Sequence, residues 1–258
     1  IGIGGSATND CGCGMAQALG VKFTKNNGGE ITEPMTGGLI AAVKAIDIGS
    51  LDERLSRCRF TVACDVRNPL LGPDGASRTY GPQKGADPEK VDILEANMRH
   101  IIGLIETAAG RSVRDIPGAG AAGGLGAGLM AFLAAKPESG IEIVMRYCRF
   151  AEKIRGADLI ITGEGRIDAT SACGKTISGI AAVARKESVP VIAVAGILGQ
   201  GAEKLLEIGV EKIIVIERGS LSQEQGMLQA ERLLAETIEK AFRDGDIYRK
   251  SPKGWANS

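Results

Sequence analysis

The sequence predicts an α/β protein in two parts, and three observations carry that expectation. Glycine is abundant, at 37 of 258 residues, against a usual share of about 7%. It gathers in clusters between apolar runs, as tight strand-to-helix turns require. From about residue 157 the pattern becomes regular: ADLIITGEG reads as strand and turn, GKTISGIAAVARKES as helix, PVIAVAGIL as strand, AEKLLEIGV as helix and KIIVIE as strand. Strands that are apolar throughout and alternate with helices belong to a parallel sheet covered on both faces. Finally, 44% of residues are hydrophobic but only 3% aromatic, so the core is expected to be aliphatic and rich in small residues.

Ile1 and Ile3 read as the end of a strand already under way, and the chain is expected to be a piece of a longer protein. A glycine turn in IGIGGSATND leads to a helix over CGCGMAQALG. Residues 21–50 mix short apolar runs with the pairs Gly28-Gly29 and Gly37-Gly38, a pattern of loops and hairpins. FTVACD (60–65) is a strand that ends on an acid, and the long loop RNPLLGPDGASRTYGPQKG follows. Asp87 and Pro88 then supply the N-cap and first position of a helix. Val91, Leu94, Met98, Ile101 and Ile105 recur at spacings of three and four and mark its buried face. A glycine-rich passage, PGAGAAGGLGAGLMAFLAA, runs into another apolar helix, and 141–155 forms a further one. Ser222 and Gln225 are spaced as a capping box for a last helix over 222–243. No linker separates the parts. The boundary is placed near 156, giving 1–156 and 157–258.

Composition removes several functions. Lys+Arg and Asp+Glu balance at 31 each, without the basic surplus of a nucleic-acid binder. The longest apolar stretch, Ala119 to Ala135, is shorter than the roughly 20 residues that span a bilayer, and no signal peptide opens the chain. A cytoplasmic protein without a membrane partner is expected. The six cysteines lack disulfide or zinc spacing and are expected to be reduced and mostly buried. The single histidine, His100, lies off the apolar stripe of its helix and is expected to face solvent. A Ser-His-Asp triad, a Cys-His pair and a His-based metal site are therefore disfavoured. The remaining inventory of acids, Lys, Arg, hydroxyls and backbone amides suits phosphoryl transfer, where positioning and charge neutralisation supply most of the catalysis.

Three glycine patterns resemble nucleotide motifs. Gly2 to Ala7 fits G-x-G-x-x-A, and Gly118 to Gly123 fits G-x-G-x-x-G behind Pro117. Neither is followed at the proper distance by a strand ending in a ribose-binding acid, so a dinucleotide fold is disfavoured. Ala169 to Thr176 is a relaxed Walker A match with Ala in place of the first Gly. The preceding strand is expected to end near Thr162 with GEGRID intervening, which argues against a P-loop, although Lys175 remains a candidate phosphate contact. Four polar loops taken together carry more weight. Ser6, Thr8, Asn9 and Asp10 sit in a glycine turn at a helix N-terminus, a setting that favours anions. Asp65 and Asn68 follow a strand, and Gln83 and Lys84 lie in GPQKG. Glu164, Arg166 and Asp168 are expected in one turn directly after a strand, where α/β folds place ligands.

The runs GIGGSATND, ACDVRNPLLG, YGPQKGA, GAGAAGGLG, ITGEGRID and CGKTISGIA occur in this order from Gly2 to about Ile216. In this the sequence resembles the class I glycerate kinases, which phosphorylate D-glycerate with ATP and Mg²⁺, usually giving 2-phosphoglycerate. The resemblance implies a Rossmann-like three-layer αβα domain, incomplete here, into which a second α/β domain is inserted. Residues 1–156 would belong to the inserted domain and 157–258 to the returning half of the first. Two further family motifs, D-S-F-K and A-D-G-G-E-G-T, do not occur in this sequence, so the segment alone is expected to lack part of the site. Cys11 and Cys13 also depart from the family pattern. The implied roles are these. Amides and hydroxyls around Gly4, Gly5, Ser6 and Thr8, with Lys84 and Lys175, neutralise phosphate charge. Arg166 holds the glycerate carboxylate in a bidentate pair. Asp168, Glu164, Asp65 or Asp10 binds Mg²⁺ or accepts the hydroxyl proton; the sequence does not rank them. The competing readings are a non-catalytic binder of organic acids or nucleotides and a dehydrogenase.

Overall fold

The computed structural model describes residues 1–172, 176–216, 219, 221–245 and 247. These fall into two compact units, 1–140 and 141 onward. In the first unit, helix α1 (Cys13–Ala18) follows the opening turn. Strands β1 (Lys22–Lys25) and β2 (Val43–Asp47) pair antiparallel. Strand β3 (Thr61–Ala63), helix α2 (Ala76–Tyr80), helix α3 (Pro88–Ala109), helix α4 (Leu125–Leu133) and strand β4 (Lys136–Glu138) complete it. β3 and β4 are parallel, and Gly2 bridges to Ala63 in the same sense. The opening segment therefore continues this small parallel arrangement, as Ile1 and Ile3 predict. Its strand ends open into GGSATND, CDVRNP and the residues around Ser139.

Helix α3 organises this unit. The Asp87 side chain accepts from the Lys90 amide at 2.8 Å, Pro88 takes the first turn and Gly110 ends the helix at φ 65°. Val91, Met98, Ile101, Ile102 and Ile105 are buried on one stripe, while Leu94 is only partly so. His100 is exposed as expected, yet its Nε2 donates to the Val43 carbonyl at 2.7 Å and ties α3 to β2.

Two acids of α3 hold the long loop after β3. Glu95, 5% exposed, accepts from the Gly72 amide at 2.9 Å. Glu106 accepts from the Val113 amide at 2.8 Å, the Arg114 amide at 3.0 Å and the Ser112 hydroxyl at 3.1 Å, and pairs with the Arg114 guanidinium. The Arg114 carbonyl in turn accepts from Leu70. Burial pushes the Glu106 carboxyl up, but Arg114, the two amides and Ser112 outweigh it and bring it from 4.5 down to about 2. A depressed carboxyl stabilises above its unfolded value and loses that contribution as pH falls through its folded one. The effect is thus complete above about pH 4.5 and fades towards pH 2. Glu106→Gln is expected to lower the urea midpoint at pH 7, with the gap to wild type narrowing between pH 5 and pH 3. A gap of constant size across that range would count against the linkage.

In the second unit, α5 (Gly140–Tyr147) and α6 (Phe150–Ile154) precede a regular succession of β5 (Ile160–Ile167), α7 (Thr176–Lys186), β6 (Val191–Leu198), α8 (Lys204–Glu207), β7 (Lys212–Val215), α9 (Gln223–Leu228) and α10 (Ala230–Arg243). The sheet has order β5-β6-β7 and is parallel throughout. Successive side chains of a strand point to opposite faces, and β6 shows it. Val191, Ala193 and Ala195 pack with Ile154, Ile177, Ala181 and Leu205, whereas Ile192 packs with Ala241 and Ile247. Helices thus cover both faces, as the continuous apolar strands predict.

Several local expectations are corrected. The helix over 141–155 breaks at Arg149, which takes a left-handed φ of 52°. The helix over 222–243 breaks at Gln229, although its Ser222–Gln225 capping box forms on both sides. β5 does not end near Thr162 but runs to Ile167. Residues 141–156, read with the first part, pack in the second unit through Phe150 and Ile154. Of the described cysteines, Cys11 and Cys13 are buried, Cys64 and Cys148 partly so, and Cys58 is exposed; fewer are buried than expected. Cys173 lies outside the described residues. Among the described residues no helix is long and apolar enough to cross a membrane.

Candidate active site

The glycine turn of the first unit is held from two directions. Asp10 is 6% exposed and accepts from the Gly12 amide at 3.0 Å and the Gly14 amide at 2.8 Å. Its oxygens serve the entry to α1. The amides expected to greet an anion at this helix start are already occupied, and α1 is only six residues long. The second support is the glycine-rich passage. Gly123 has φ 68°, and a Cβ there would stand 2.0 Å from the Thr8 carbonyl oxygen. Gly128 would meet the Cys11 carbonyl at 2.5 Å, and the Cys11 amide donates to the Gly123 carbonyl at 3.2 Å. Residues 118–128 therefore buttress the opening loop and do not form a nucleotide turn. Burial pushes the Cys11 and Cys13 thiols far up, which makes them inert packing groups.

A cavity of about 450 Å³ lies at these strand ends, lined by Gly4, Gly5, Ser6, Cys64, Asp65, Tyr80, Gln83 and Lys84 among others. Lys84 is the one cation among its lining residues. Its Nζ donates to Ser6 Oγ at 3.0 Å and to the Thr8 carbonyl at 2.6 Å. These contacts join loops far apart in sequence and fix the ammonium at the cavity wall. Burial pulls the Lys84 ammonium below its ordinary range, with Asp10 opposing. Asp65 Oδ1 accepts from Ser139 at 3.0 Å and the Gly140 amide at 2.9 Å. Gln83 sits in the 3₁₀ turn Pro82–Lys84.

Two expected contacts have structural work instead. Asn68 donates to the Asp74 carbonyl at 2.8 Å and accepts from the Tyr80 hydroxyl at 2.7 Å, shaping the long loop. Asn9 donates to buried Ser77 at 3.2 Å, and neither Asn9 nor Asn68 lines the cavity. Tyr80 and Cys64 do line it and were not singled out by the sequence reading, although both stand in the quoted runs YGPQKGA and ACDVRNPLLG. Burial raises both the Tyr80 hydroxyl and the Cys64 thiol.

In the second unit, Glu164 and Arg166 lie within β5 and Asp168 follows its last residue. The expected single turn is therefore the end of a strand, where every second residue shares a face. Asp168 Oδ1 accepts from the Thr170 amide at 2.9 Å and its hydroxyl at 2.7 Å. Arg166 Nε reaches Asp168 Oδ2 at 3.4 Å. Ser171, 1% exposed, donates to Glu164 Oε2 at 2.8 Å and accepts from the Asp168 amide at 3.4 Å. This buried hydroxyl, missed at the sequence level inside the Walker-like match, joins the Glu164 carboxylate to the Asp168 main chain. Ala169–Ala172 is a 3₁₀ turn whose first amide donates to the Gln200 carbonyl. Lys175 lies outside the described residues.

A family model for the glycerate kinase family matches residues 1–245. The chain is 47% identical over 234 residues to a glycerate kinase of Halalkalibacterium halodurans, covering 91% of this chain and 61% of that protein. It is 45% identical over 251 residues to a glycerate 2-kinase of Escherichia coli, covering 95% and 65%. A crystal structure from Salmonella typhimurium LT2, provisionally named glycerate kinase 2, superposes with a TM-score of 0.76 at 39% identity, over 95% of this chain and 64% of that one. The chain thus spans about three-fifths of the length of the curated relatives it matches. The order of the loops, the parallel strand ends that carry them and these likenesses converge: the chain belongs to the glycerate kinase family.

Proposed function

We propose that the protein transfers a phosphoryl group from ATP to a hydroxyl of D-glycerate. The observation that carries this reading is Lys84, whose ammonium is pinned between Ser6 and Thr8 at the wall of a cavity with room for a small acid. Glycerate and its phosphorylated product are small anions, and a fixed cation with nearby hydroxyls and amides neutralises them. In this reading Gly4, Gly5, Ser6, Asp65 and Gln83 complete the acid-binding wall. Asp10, Asn9 and Asn68 hold the loops and take no direct part. In the second unit, Glu164, Arg166 and Asp168 are the chemical candidates. The name of the Escherichia coli relative supports 2-phosphoglycerate as the product. The first unit would be the inserted domain and the second the returning half of the Rossmann-like domain, in a cytoplasmic enzyme.

No group of three or more His, Cys, Asp or Glu able to hold a metal is present among the described residues. Glu164 and Asp168 nonetheless offer hard carboxylate oxygens, the donor type Mg²⁺ takes when it arrives on a nucleotide and keeps most of its waters. When bound, the ion would neutralise charge on the phosphates. Of the chain's own groups, Ser171 orients Glu164, and Thr170 orients Asp168 towards accepting a proton from the substrate hydroxyl.

The test is ATP consumption by the intact gene product with D-glycerate and Mg²⁺, the product being read by ³¹P NMR. ATP consumption that requires glycerate and yields 2-phosphoglycerate is expected. A folded protein that binds glycerate without consuming ATP would return the assignment to a non-catalytic binder.

A further inference from the structure

The second unit contains a cavity of about 410 Å³ that the candidate residues do not fill. It lies towards the C-terminal ends of β5 and β6, with Ile216 beyond β7 and α9 alongside. Its character differs from that of the first-unit cavity. Ile197, Ile216, Met227 and Ala230 make apolar walls. Gly165 and Gly196 face each other across the sheet, between the aligned pairs Glu164–Ala195 and Arg166–Ile197. A Cβ on Gly196 would stand 2.8 Å from the Gly165 carbonyl oxygen, whereas one on Gly165 would meet nothing within 4 Å. This part of the lining is therefore bare backbone, open towards the cavity. Among the described lining residues, Gln223 and Arg166 carry polar side chains.

A carboxylate or phosphate seated against Ile197, Ile216, Met227 and Ala230, away from the Arg166 edge, would lose its hydration without a compensating partner. A flat, mostly apolar ring with a few polar edge atoms fits them. A glycine-lined wall admits a ring face against backbone, Met227 is suited to an aromatic face, and Gln223 both donates and accepts at a ring edge. The volume falls within the range of small-molecule sites, and the strand-end position is the one open α/β sheets use for nucleotides.

We infer that this cavity is the base subsite of a nucleoside triphosphate, taking the adenine ring against Gly165 and Gly196 with Met227 and Ala230 as its other walls. Arg166, which shares the lining, then meets the polyphosphate in place of the glycerate carboxylate. The inference rests on the proposed use of ATP and adds where its base is held.

The experiment uses the intact gene product, adenosine as a phosphate-free probe, and two variants at exposed positions. Ala230→Leu fills the cavity and Met227→Lys, at a residue 71% exposed, places a charge in its wall; thermal midpoints confirm that both fold. Each variant is expected to raise KM for ATP at least tenfold, with a far smaller change in KM for D-glycerate. Adenosine, a competitive inhibitor against ATP in wild type, should weaken in parallel. A wild type that turns over glycerate, with both variants unaltered in KM for ATP and in adenosine inhibition, overturns the subsite and leaves the phosphotransfer reading standing. A wild type without turnover that binds adenosine, with saturation-transfer signals lost in Ala230→Leu, does the reverse.

Discussion

Lys84→Met lowers kcat/KM for D-glycerate by about 10²–10³-fold, the size expected when one fixed donor aimed at developing charge is removed. In free energy this is roughly 3–4 kcal/mol of transition-state stabilisation. The argument is geometric. Lys84 is the only cation among the described residues that line the first-unit cavity, and its two contacts, at 3.0 and 2.6 Å, hold the charge in place before any ligand arrives. Methionine keeps most of the stem's bulk and removes the ammonium. The same contacts brace the opening loop, so the thermal midpoint is measured alongside to separate lost chemistry from unfolding. Lys84→Arg separates the roles further, because guanidinium restores charge but not the compact three-donor geometry. Partial recovery in Arg supports charge neutralisation. A Met variant within threefold of wild type would remove Lys84 from the site.

Asp168→Asn is the second large effect, a fall in kcat of about 10²–10⁴-fold if Asp168 accepts the proton of the attacking hydroxyl. Its Oδ1 is engaged by both donors of Thr170, and Oδ2 lies on the Arg166 side. The change to Asn keeps the size and an acceptor oxygen, so the loss reports the charge and proton affinity of the carboxylate. The pH profile separates chemistry from positioning. A base must be deprotonated to act, so an acid limb of kcat that belongs to the base is present in wild type and absent from the variant. A variant that is slower but keeps the acid limb would assign the proton transfer to another group. Full activity would sink the role altogether. Ser171→Ala, which frees the Glu164 carboxylate from the Asp168 main chain, serves as a companion, its loss acting through the placement of Glu164.

How much of this was legible beforehand varied with the range of the interaction. Helix α3 could be read nearly residue by residue, because its N-cap, first-turn proline, apolar stripe and terminal glycine are all local signals. The capping box at Ser222 was legible for the same reason. Breaks at Arg149 and Gln229 were not, since each keeps a helical pattern on both sides and the interruption is set by packing. The end of β5 was misplaced because Gly163, Glu164, Gly165 and Arg166 have a turn's composition. Pairing with β6, through to Ile167–Leu198, keeps them extended.

The sequence by itself determined the α/β class, the parallel second sheet, the loops that bear polar groups and the family. All of these follow from periodicity and from motifs written in consecutive residues. The tertiary structure alone decided which polar residues line a cavity. Asp10 and Asn68 turned inward to satisfy backbone amides and a tyrosine hydroxyl, because buried polar groups must find partners. Lys84 and the pair Gly165–Gly196 acquired their settings from loops and strands distant in the chain. A charge gains a fixed direction, and a bare backbone wall becomes a cavity, only when such segments are brought within a few ångströms of one another.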